Sequence, residues 1–269
     1  MPSSSAHKQT LPNLELHLTH GCNLACESCS HYSNQGHRGM TSLSDASAWM
    51  KLWRSRLNPR LFSLLGGEPT IHPQLTEFVL LTRRNWPAAQ IRIVTNGFFL
   101  HRHPNLPGMI RDVSNALIVI SIHHASLEYQ ERLKPVMDLT NEWVQRYQIQ
   151  IVTEQAFDHW TRRYHGFGSA MSPMEDDNPR RSWKICQSKY CPQLFEGKIW
   201  KCAPLAYLPM QNAKYNLSEK WKPYLEYRPL SSSCTDAELA AFFAKEHESY
   251  CGMCSARLEE FELPLPFPK

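Results

Sequence analysis

The chain has 269 residues, of which 42% are hydrophobic and 20% are charged, so it can form a sizeable globular core. Its formal charge of +4 is too small to indicate a nucleic-acid-binding protein by itself. No apolar run is long enough to cross a membrane, and the start MPSSSAHKQT lacks the hydrophobic region of a secretory signal. We therefore expect a cytoplasmic protein with no membrane partner, and we predict a disordered tail over residues 1–12.

Short apolar segments alternate with helical patterns over the first 165 residues. The predicted strands cover residues 14–18, 61–65, 90–95, 116–122 and 148–153, and the predicted helices cover 42–57, 73–86 and 127–147. Pro135 is expected to end or kink the last of these helices. Strands that alternate with helices favour a parallel sheet or a (β/α) barrel.

Three cysteines follow the first predicted strand, at Cys22, Cys26 and Cys29. Cytosolic thiols are normally reduced, so a cluster of them favours metal binding over disulfide formation. Three thiolates can hold an iron–sulfur cluster and leave its fourth iron open. They can also bind zinc with His20 or His31 as a fourth ligand, and the spacing leaves both alternatives open.

A second motif closes the second predicted strand, with Gly66, Gly67, Glu68 and Pro69 in succession. The pattern C-x-x-x-C-x-x-C after strand one, with GGEP after strand two, resembles the radical S-adenosylmethionine (radical SAM) superfamily. The resemblance implies a [4Fe–4S] cluster on the three cysteines, whose open iron chelates SAM and whose electron cleaves it to a 5′-deoxyadenosyl radical. It also implies that the GGEP residues hold the SAM amino group, with Glu68 as acceptor and the glycines allowing the backbone to approach the ligand.

The same resemblance implies further SAM-binding positions at the ends of the next two strands. Thr95 and Asn96 belong to a T-N-G turn that related enzymes often show. Ser121 and Arg132 match a serine and an arginine that bind the SAM ribose and carboxylate in relatives. A turn and a solvated helical arginine are the alternative interpretations.

Two positions depart from the family pattern. The residue before the third cysteine is usually aromatic and touches the adenine, but here it is Ser28, and Tyr32 is the expected substitute. His123 and His124 stand where many relatives have an acid. They are candidate catalytic residues, and the alternative is that both are core or rim histidines.

The other six cysteines all follow residue 185. The layout Cys186…Gly197…Cys202…Cys251-x-x-Cys254 resembles the twitch domain, the shortened form of the SPASM extension, which holds an auxiliary [4Fe–4S] cluster. The resemblance implies Cys186, Cys202, Cys251 and Cys254 as its ligands. Cys191 is a rival ligand, Cys234 is interpreted as a bystander, and a structural zinc site is the alternative to the cluster.

The predicted fold is α/β: a partial (β/α)6 TIM-like barrel followed by a small C-terminal α+β twitch domain. The barrel is assigned to residues 13–165 and the twitch-type domain to 183–262. A linker rich in Gly, Ser, Pro and charge joins them over 166–182, and an extended tail follows over 263–269. The second unit should contain a hairpin that turns at Gly197 and a helix over 236–247.

The resemblance implies an enzyme that cleaves SAM reductively and abstracts a hydrogen atom from its substrate. An auxiliary cluster suits the oxidation or rearrangement of a small sugar- or nucleotide-like molecule, with a reductase, flavodoxin or ferredoxin as electron donor. Modification of a ribosomal peptide is an alternative, although residues 1–12 are too short for a leader-binding domain.

Two further alternatives concern other classes of function. One is modification of a nucleic acid or nucleotide. The basic, aromatic stretch 159–165, with Arg180, Arg181 and Trp183, can contact phosphates and stack on bases, but such a stretch is more often a solvated face. A non-catalytic zinc or iron–sulfur module would explain the cysteines but not the GGEP motif.

Overall fold

The computed structural model describes residues 8–259 and 261–267, and these residues build one seven-stranded sheet. Its strands are β1 (Gln9–His17), β2 (Leu57–Leu65), β3 (Gln90–Thr95), β4 (Ala116–Ile122), β5 (Gln150–Gln155), β6 (Gln193–Phe195) and β7 (Lys198–Trp200). The order across the sheet is β5-β4-β3-β2-β1-β6-β7. All neighbouring pairs are parallel except β6 and β7, and the sheet does not close. The predicted α/β fold with a partial TIM-like barrel is therefore confirmed.

Helices connect the parallel strands and cover the sheet. The α-helices described are α1 (Leu43–Trp53), α2 (Leu75–Asn85), α3 (Leu106–Val113), α4 (Leu127–Tyr147), α5 (Pro179–Ile185), α6 (Ala203–Tyr215), α7 (Lys222–Leu225) and α8 (Asp236–Ala244). Ser42 caps α1, because its hydroxyl accepts a 3.0 Å bond from the Asp45 N–H. The short helix α3 was not predicted from its sequence. No helix within residues 8–259 and 261–267 is long and apolar enough to span a bilayer.

Helix α4 does not end at Pro135, which was one of the two expected outcomes; the other, a kink, stays a prediction. The helix continues for twelve residues beyond the proline, to Tyr147. A proline inside a helix removes one backbone hydrogen bond and costs about 3 kcal/mol. Leu133, Val136 and Trp143 on the same helix are buried in the core, and this packing offsets the lost bond.

Two segments predicted to be unstructured are packed. Strand β1 begins at Gln9 and Leu11 is buried, so the predicted tail of residues 1–12 is too long; residues 1–7 lie outside the described residues. Met171 and Met174 are buried within the predicted linker 166–182, and α5 begins before its end. Along the tail, Leu263 is also buried, and residues 268–269 are not described.

The predicted hairpin forms, but it belongs to the barrel sheet. Strands β6 and β7 turn at Glu196 and Gly197, whose φ angles of 51° and 71° are left-handed. Strand β6 pairs in parallel with β1, where Glu15 lies opposite Gln193. Gln193 donates to the Glu15 carboxylate at 2.5 Å and accepts from the Tyr207 hydroxyl at 2.9 Å. The predicted second domain therefore contributes the sixth parallel strand.

Candidate functional site

Cys22, Cys26 and Cys29 line one cavity of about 200 Å³ at the carboxyl ends of the parallel strands. Residues that end or follow β2, β3, β4 and β5 complete its wall; among them are Gly66, Gly67, Glu68, Thr95, Asn96, Ser121 and Ala156. Loops at this end of a parallel barrel carry its chemistry because the strand ends converge there. The structure thus brings the three-cysteine motif and the GGEP motif together, although 36 residues separate Cys29 from Gly66.

The three thiols are buried close to one another. Burial raises the pKa of each thiol, and the neighbouring cysteines raise those of Cys22 and Cys26 further. Asn96 Nδ2 lies 3.8 Å from Cys22 Sγ, and His123 Nδ1 lies 3.6 Å from Cys26 Sγ. Three buried thiolates repel each other unless a cationic partner is present, so this donor set fits an iron–sulfur cluster.

No three His, Cys, Asp or Glu side chains of the described residues are grouped tightly enough to hold a single metal ion. The thiols meet instead around the open space of the cavity.

The paired glycines of GGEP approach the cysteine loop and also line the cavity. The Gly67 N–H donates to the Thr19 carbonyl at 2.7 Å, and the Glu68 N–H donates to the Gly21 carbonyl at 3.0 Å. A Cβ on Gly67 would lie 2.1 Å from the Gly21 oxygen, and one on Gly66 would lie 2.6 Å from the Thr19 oxygen. Glycine is therefore required at both positions so that the two loops can touch.

The Glu68 carboxylate ties the GGEP motif to the T-N-G turn. It accepts from the Thr95 hydroxyl at 2.5 Å, from the Asn96 N–H at 2.8 Å, and from the N–H and hydroxyl of Thr70. Burial raises its pKa, and these hydrogen bonds oppose the rise. Asn96 then reaches the cysteine loop, where its Nδ2 donates to Asn23 at 2.8 Å. Pro69 begins a buried turn behind this network.

His123 and His124 differ in position. His123 lines the cavity, and burial lowers its pKa to about 4. His124 is not among the residues that line the cavity, and its Nδ1 accepts from the Ser126 N–H at 3.0 Å near the start of α4. Of the two histidines, only His123 is placed to meet a ligand.

Tyr32 and Arg132 are not among the residues that line the cavity, and their expected contacts with adenine and carboxylate stay predictions. Tyr32 has a left-handed φ of 55° that directs it into the C-terminal core, where it is fully buried and donates to Pro204 O at 3.3 Å. Arg132 lies on the outer side of α4, pairs with Glu128 at 2.8 Å and stacks over Phe267.

A second cavity, of about 40 Å³, is lined by Cys186, Cys202, Cys251 and Cys254. These are the four cysteines preferred from the sequence. Cys191 lies elsewhere, 3.7 Å from Asn13 Nδ2 beside β1.

The sixth C-terminal cysteine, Cys234, accepts a hydrogen bond from Arg56 at 3.2 Å, away from both cavities.

Cations surround the second set of thiols. Arg163, Lys189 and Lys201 line the same cavity, and Arg163 Nη1 lies 3.8 Å from Cys186 Sγ. Burial raises the pKa of Cys254 to about 12, and the charge of Arg163 opposes that rise. Four thiols beside three cations fit an anionic thiolate-bound cluster.

The segment 160–164 joins the two cysteine sites, which its sequence did not indicate. Trp160 Nε1 donates to Glu27 O at 2.8 Å, and the Arg163 N–H donates to Ser28 Oγ at 2.6 Å. Arg162 pairs with Glu27 and Glu259. These side chains point into the protein, so the interpretation of 159–165 as a solvated face is wrong for them. The only signal was the alternation of aromatic and basic residues directly after β5.

Comparison with protein families shows what this fold and site are similar to. Residues 16–147, which carry the three-cysteine loop, GGEP and strands β2–β4, match the model of the radical SAM superfamily. The match covers 132 residues, just under half of the chain, and over this part the chain is similar to the radical SAM superfamily.

Two relatives show how far the likeness extends. A probable GTP 3′,8-cyclase of Metallosphaera sedula is 30% identical over 119 residues, which are 44% of this chain and 36% of that protein. This chain therefore matches about a third of the relative's length. The crystal structure of BtrN in complex with AdoMet and 2-DOIA has a TM-score of 0.52 at 13% identity, with 96% of this chain and 100% of BtrN covered. That likeness concerns the fold, and it includes the C-terminal part.

Proposed function

We propose that Cys22, Cys26 and Cys29 hold a [4Fe–4S] cluster, that SAM binds in the cavity they line, and that the enzyme abstracts a hydrogen atom from a small molecule. The observation that carries this proposal is the meeting of three buried thiols with the GGEP and T-N-G turns around one cavity. When bound, the cluster and SAM supply one-electron cleavage of the SAM sulfonium.

The protein's own residues position these groups. Gly67 lets the GGEP turn lie against the backbone before Cys22, and Glu68 fixes the Asn96 turn through its carboxylate. The Glu68 oxygen that accepts from Asn96 retains a lone pair for the SAM ammonium. Leu24, Leu65 and Val94 give the cavity apolar walls that exclude water from a reactive intermediate.

We propose an auxiliary [4Fe–4S] cluster on Cys186, Cys202, Cys251 and Cys254. Support comes from their common cavity and from the three cations beside it. Such a cluster can accept the electron left after hydrogen abstraction or bind the substrate, which suits an oxidation or a rearrangement. A reductase, flavodoxin or ferredoxin is the proposed electron donor.

For the substrate we propose a nucleotide-like small molecule. The name of the Metallosphaera sedula relative, a probable GTP 3′,8-cyclase, supports this class over a sugar or a ribosomal peptide. A comparison of nucleotides, sugars and peptides as stimulators of SAM cleavage tests the choice. A nucleotide should increase the yield of 5′-deoxyadenosine; stimulation by a peptide alone would contradict the proposed class.

Anaerobic reconstitution followed by iron, sulfide and zinc analysis tests the cofactor assignment. Two cubic clusters predict about eight irons per chain, and SAM should bind to the reconstituted protein in equilibrium dialysis. A zinc site at the second set would give about four irons and one zinc instead. A protein with no iron that still binds zinc would contradict the proposal.

A further inference from the structure

A third cavity, of about 220 Å³, lies between the two cysteine cavities. It shares Ser30, Ala156 and Trp160 with the first cavity, and it shares Arg163 and Ser188 with the second. We name this space the middle chamber. A molecule held there would touch the walls of both cysteine sites at once.

The lining of the middle chamber is polar and carries one charge. Hydroxyl and amide groups come from Ser28, Ser30, Thr161, Gln187 and Ser188, and Arg163 is the one charged residue among its described lining residues. A chamber with donors, one fixed cation and no carboxylate in its described wall favours an anionic, hydroxyl-bearing ligand over a cationic one.

The Arg163 guanidinium has further N–H donors that can bind such a ligand. A guanidinium carries five N–H donors. Among the described residues, that of Arg163 makes one hydrogen bond, 3.8 Å long, to Cys186 Sγ, and it makes no ion pair with a carboxylate. Arg162, next to it, pairs with two carboxylates. The thiols of Cys186, Cys202 and Cys254 offset part of the Arg163 charge from one side, and the remaining N–H donors can bind an anion in the middle chamber.

The backbone holds Arg163 in place independently of its side chain. Its N–H donates to Ser28 Oγ at 2.6 Å, within the three-cysteine loop. A substitution of the side chain therefore leaves this attachment intact. Lys189 and Lys201 remain beside the second set of thiols.

We infer that the middle chamber binds the substrate through an anionic group, a phosphate in the nucleotide-like class proposed above, and that Arg163 is the residue that holds this group. The inference rests on the proposed function for its substrate class. A bidentate contact between arginine and phosphate would also fix the orientation of the substrate between the two cysteine sites.

Binding measurements on the anaerobically reconstituted protein with SAM test the inference. The probes are guanosine, GMP and glucose 6-phosphate, and the variants are Arg163→Gln and Arg163→Lys, with exposed Arg181→Gln as the matched control. Loss of a charge-assisted contact should weaken GMP binding about ten- to hundredfold in Arg163→Gln. Guanosine binding should not change, and Arg163→Lys, which keeps the charge but cannot make the bidentate contact, should retain only part of the affinity for GMP. Tighter binding of glucose 6-phosphate than GMP would keep the anion site but replace the nucleotide by a sugar phosphate.

Three results would overturn the inference: no binding of either phosphate by the wild type, equal GMP affinity in Arg163→Gln, or a loss of iron in Arg163→Gln, which would assign Arg163 to the second thiol set. Failure of the proposed function is a separate result, because it would show as wild-type protein that does not cleave SAM at all.

Discussion

At the residue scale, Gly67 and Glu68 make contacts with other loops that the GGEP motif alone does not predict. The sequence indicates a turn with two glycines and an acid, and the family resemblance indicates a ligand for them. The structure adds that the Gly67 Cα faces the Gly21 carbonyl and that the Glu68 carboxylate accepts from four backbone or hydroxyl donors. Such contacts depend on residues 46 positions apart along the chain, so local sequence patterns cannot reveal them.

Gly67→Ala should disrupt the three-cysteine loop. The added Cβ would lie 2.1 Å from the Gly21 oxygen and 3.0 Å from the Cys22 nitrogen, so the backbone must shift. We expect the iron bound at the first site to fall by more than half and the melting temperature to drop. Gly108→Ala in α3 is the control, since its nearest neighbour would be 3.8 Å away and alanine favours helix by up to about 1 kcal/mol. An unchanged iron content in Gly67→Ala would refute the close approach.

Glu68→Gln should destabilise the protein even without SAM. Its amide nitrogen is a donor, so one of the donors from Asn96, Thr70 or Thr95 would lose its acceptor in a buried position. The expected cost is about 1–3 kcal/mol in the free energy of unfolding, measured by urea denaturation. Exposed Glu128→Gln is the control. Equal stability of wild type and Glu68→Gln, with weakened SAM binding alone, would mean that Glu68 acts only on the ligand.

The sequence predicts many elements well because their signals are local. The bounds of β3, β4 and α4 agree with the alternation and helical spacing in those segments. The pairing of β6 with β1 has no such signal, since Glu15 and Gln193 are 178 residues apart. Arg132 on α4 is a second example. It follows Ser121 at the spacing that the family resemblance implies, but its side chain lies over Phe267 and faces solvent.

Cysteine substitutions test which C-terminal cysteines hold the second cluster. Cys191→Ser should keep the full iron content, because Cys191 faces Asn13 and Glu15 and does not line the second cavity. The double substitution Cys251→Ser with Cys254→Ser should remove about four irons, the content of one cubic cluster. Iron analysis after reconstitution measures both effects. Loss of four irons in Cys191→Ser would mean that Cys191 is a ligand of the second cluster, contrary to the proposed ligand set.

On the scale of the whole molecule, the segment 160–164 holds the two cysteine sites in one arrangement. Its attachment to the first loop includes Ser28, whose hydroxyl accepts from the backbone of Arg163 at 2.6 Å and of Tyr164 at 3.3 Å. Arg163 also reaches Cys186 at the second site. In the sequence, Ser28 is noticeable only because an aromatic residue is usual at its position. Its hydrogen bonds to the segment 160–164 could not be predicted, because they join residues 135 positions apart.

Ser28→Ala should weaken this connection. Two buried N–H groups would lose their acceptor, which costs about 1–3 kcal/mol in the free energy of unfolding. Amide hydrogen exchange at residues 163 and 164 should become faster, whereas exposed Ser55→Ala should leave exchange there unchanged. Equal protection of both amides in Ser28→Ala and wild type would show that Ser28 does not hold the segment.

The yield of 5′-deoxyadenosine from SAM under a strong reductant tests the central assignment most directly. The comparison is between the wild type, the triple variant Cys22→Ala, Cys26→Ala, Cys29→Ala, and Cys234→Ser as a cysteine control away from both cavities. The wild type and the control should form 5′-deoxyadenosine, and the triple variant should form none while it keeps the iron of the second site. Production by the triple variant at the wild-type rate would contradict the assignment of SAM cleavage to these three cysteines.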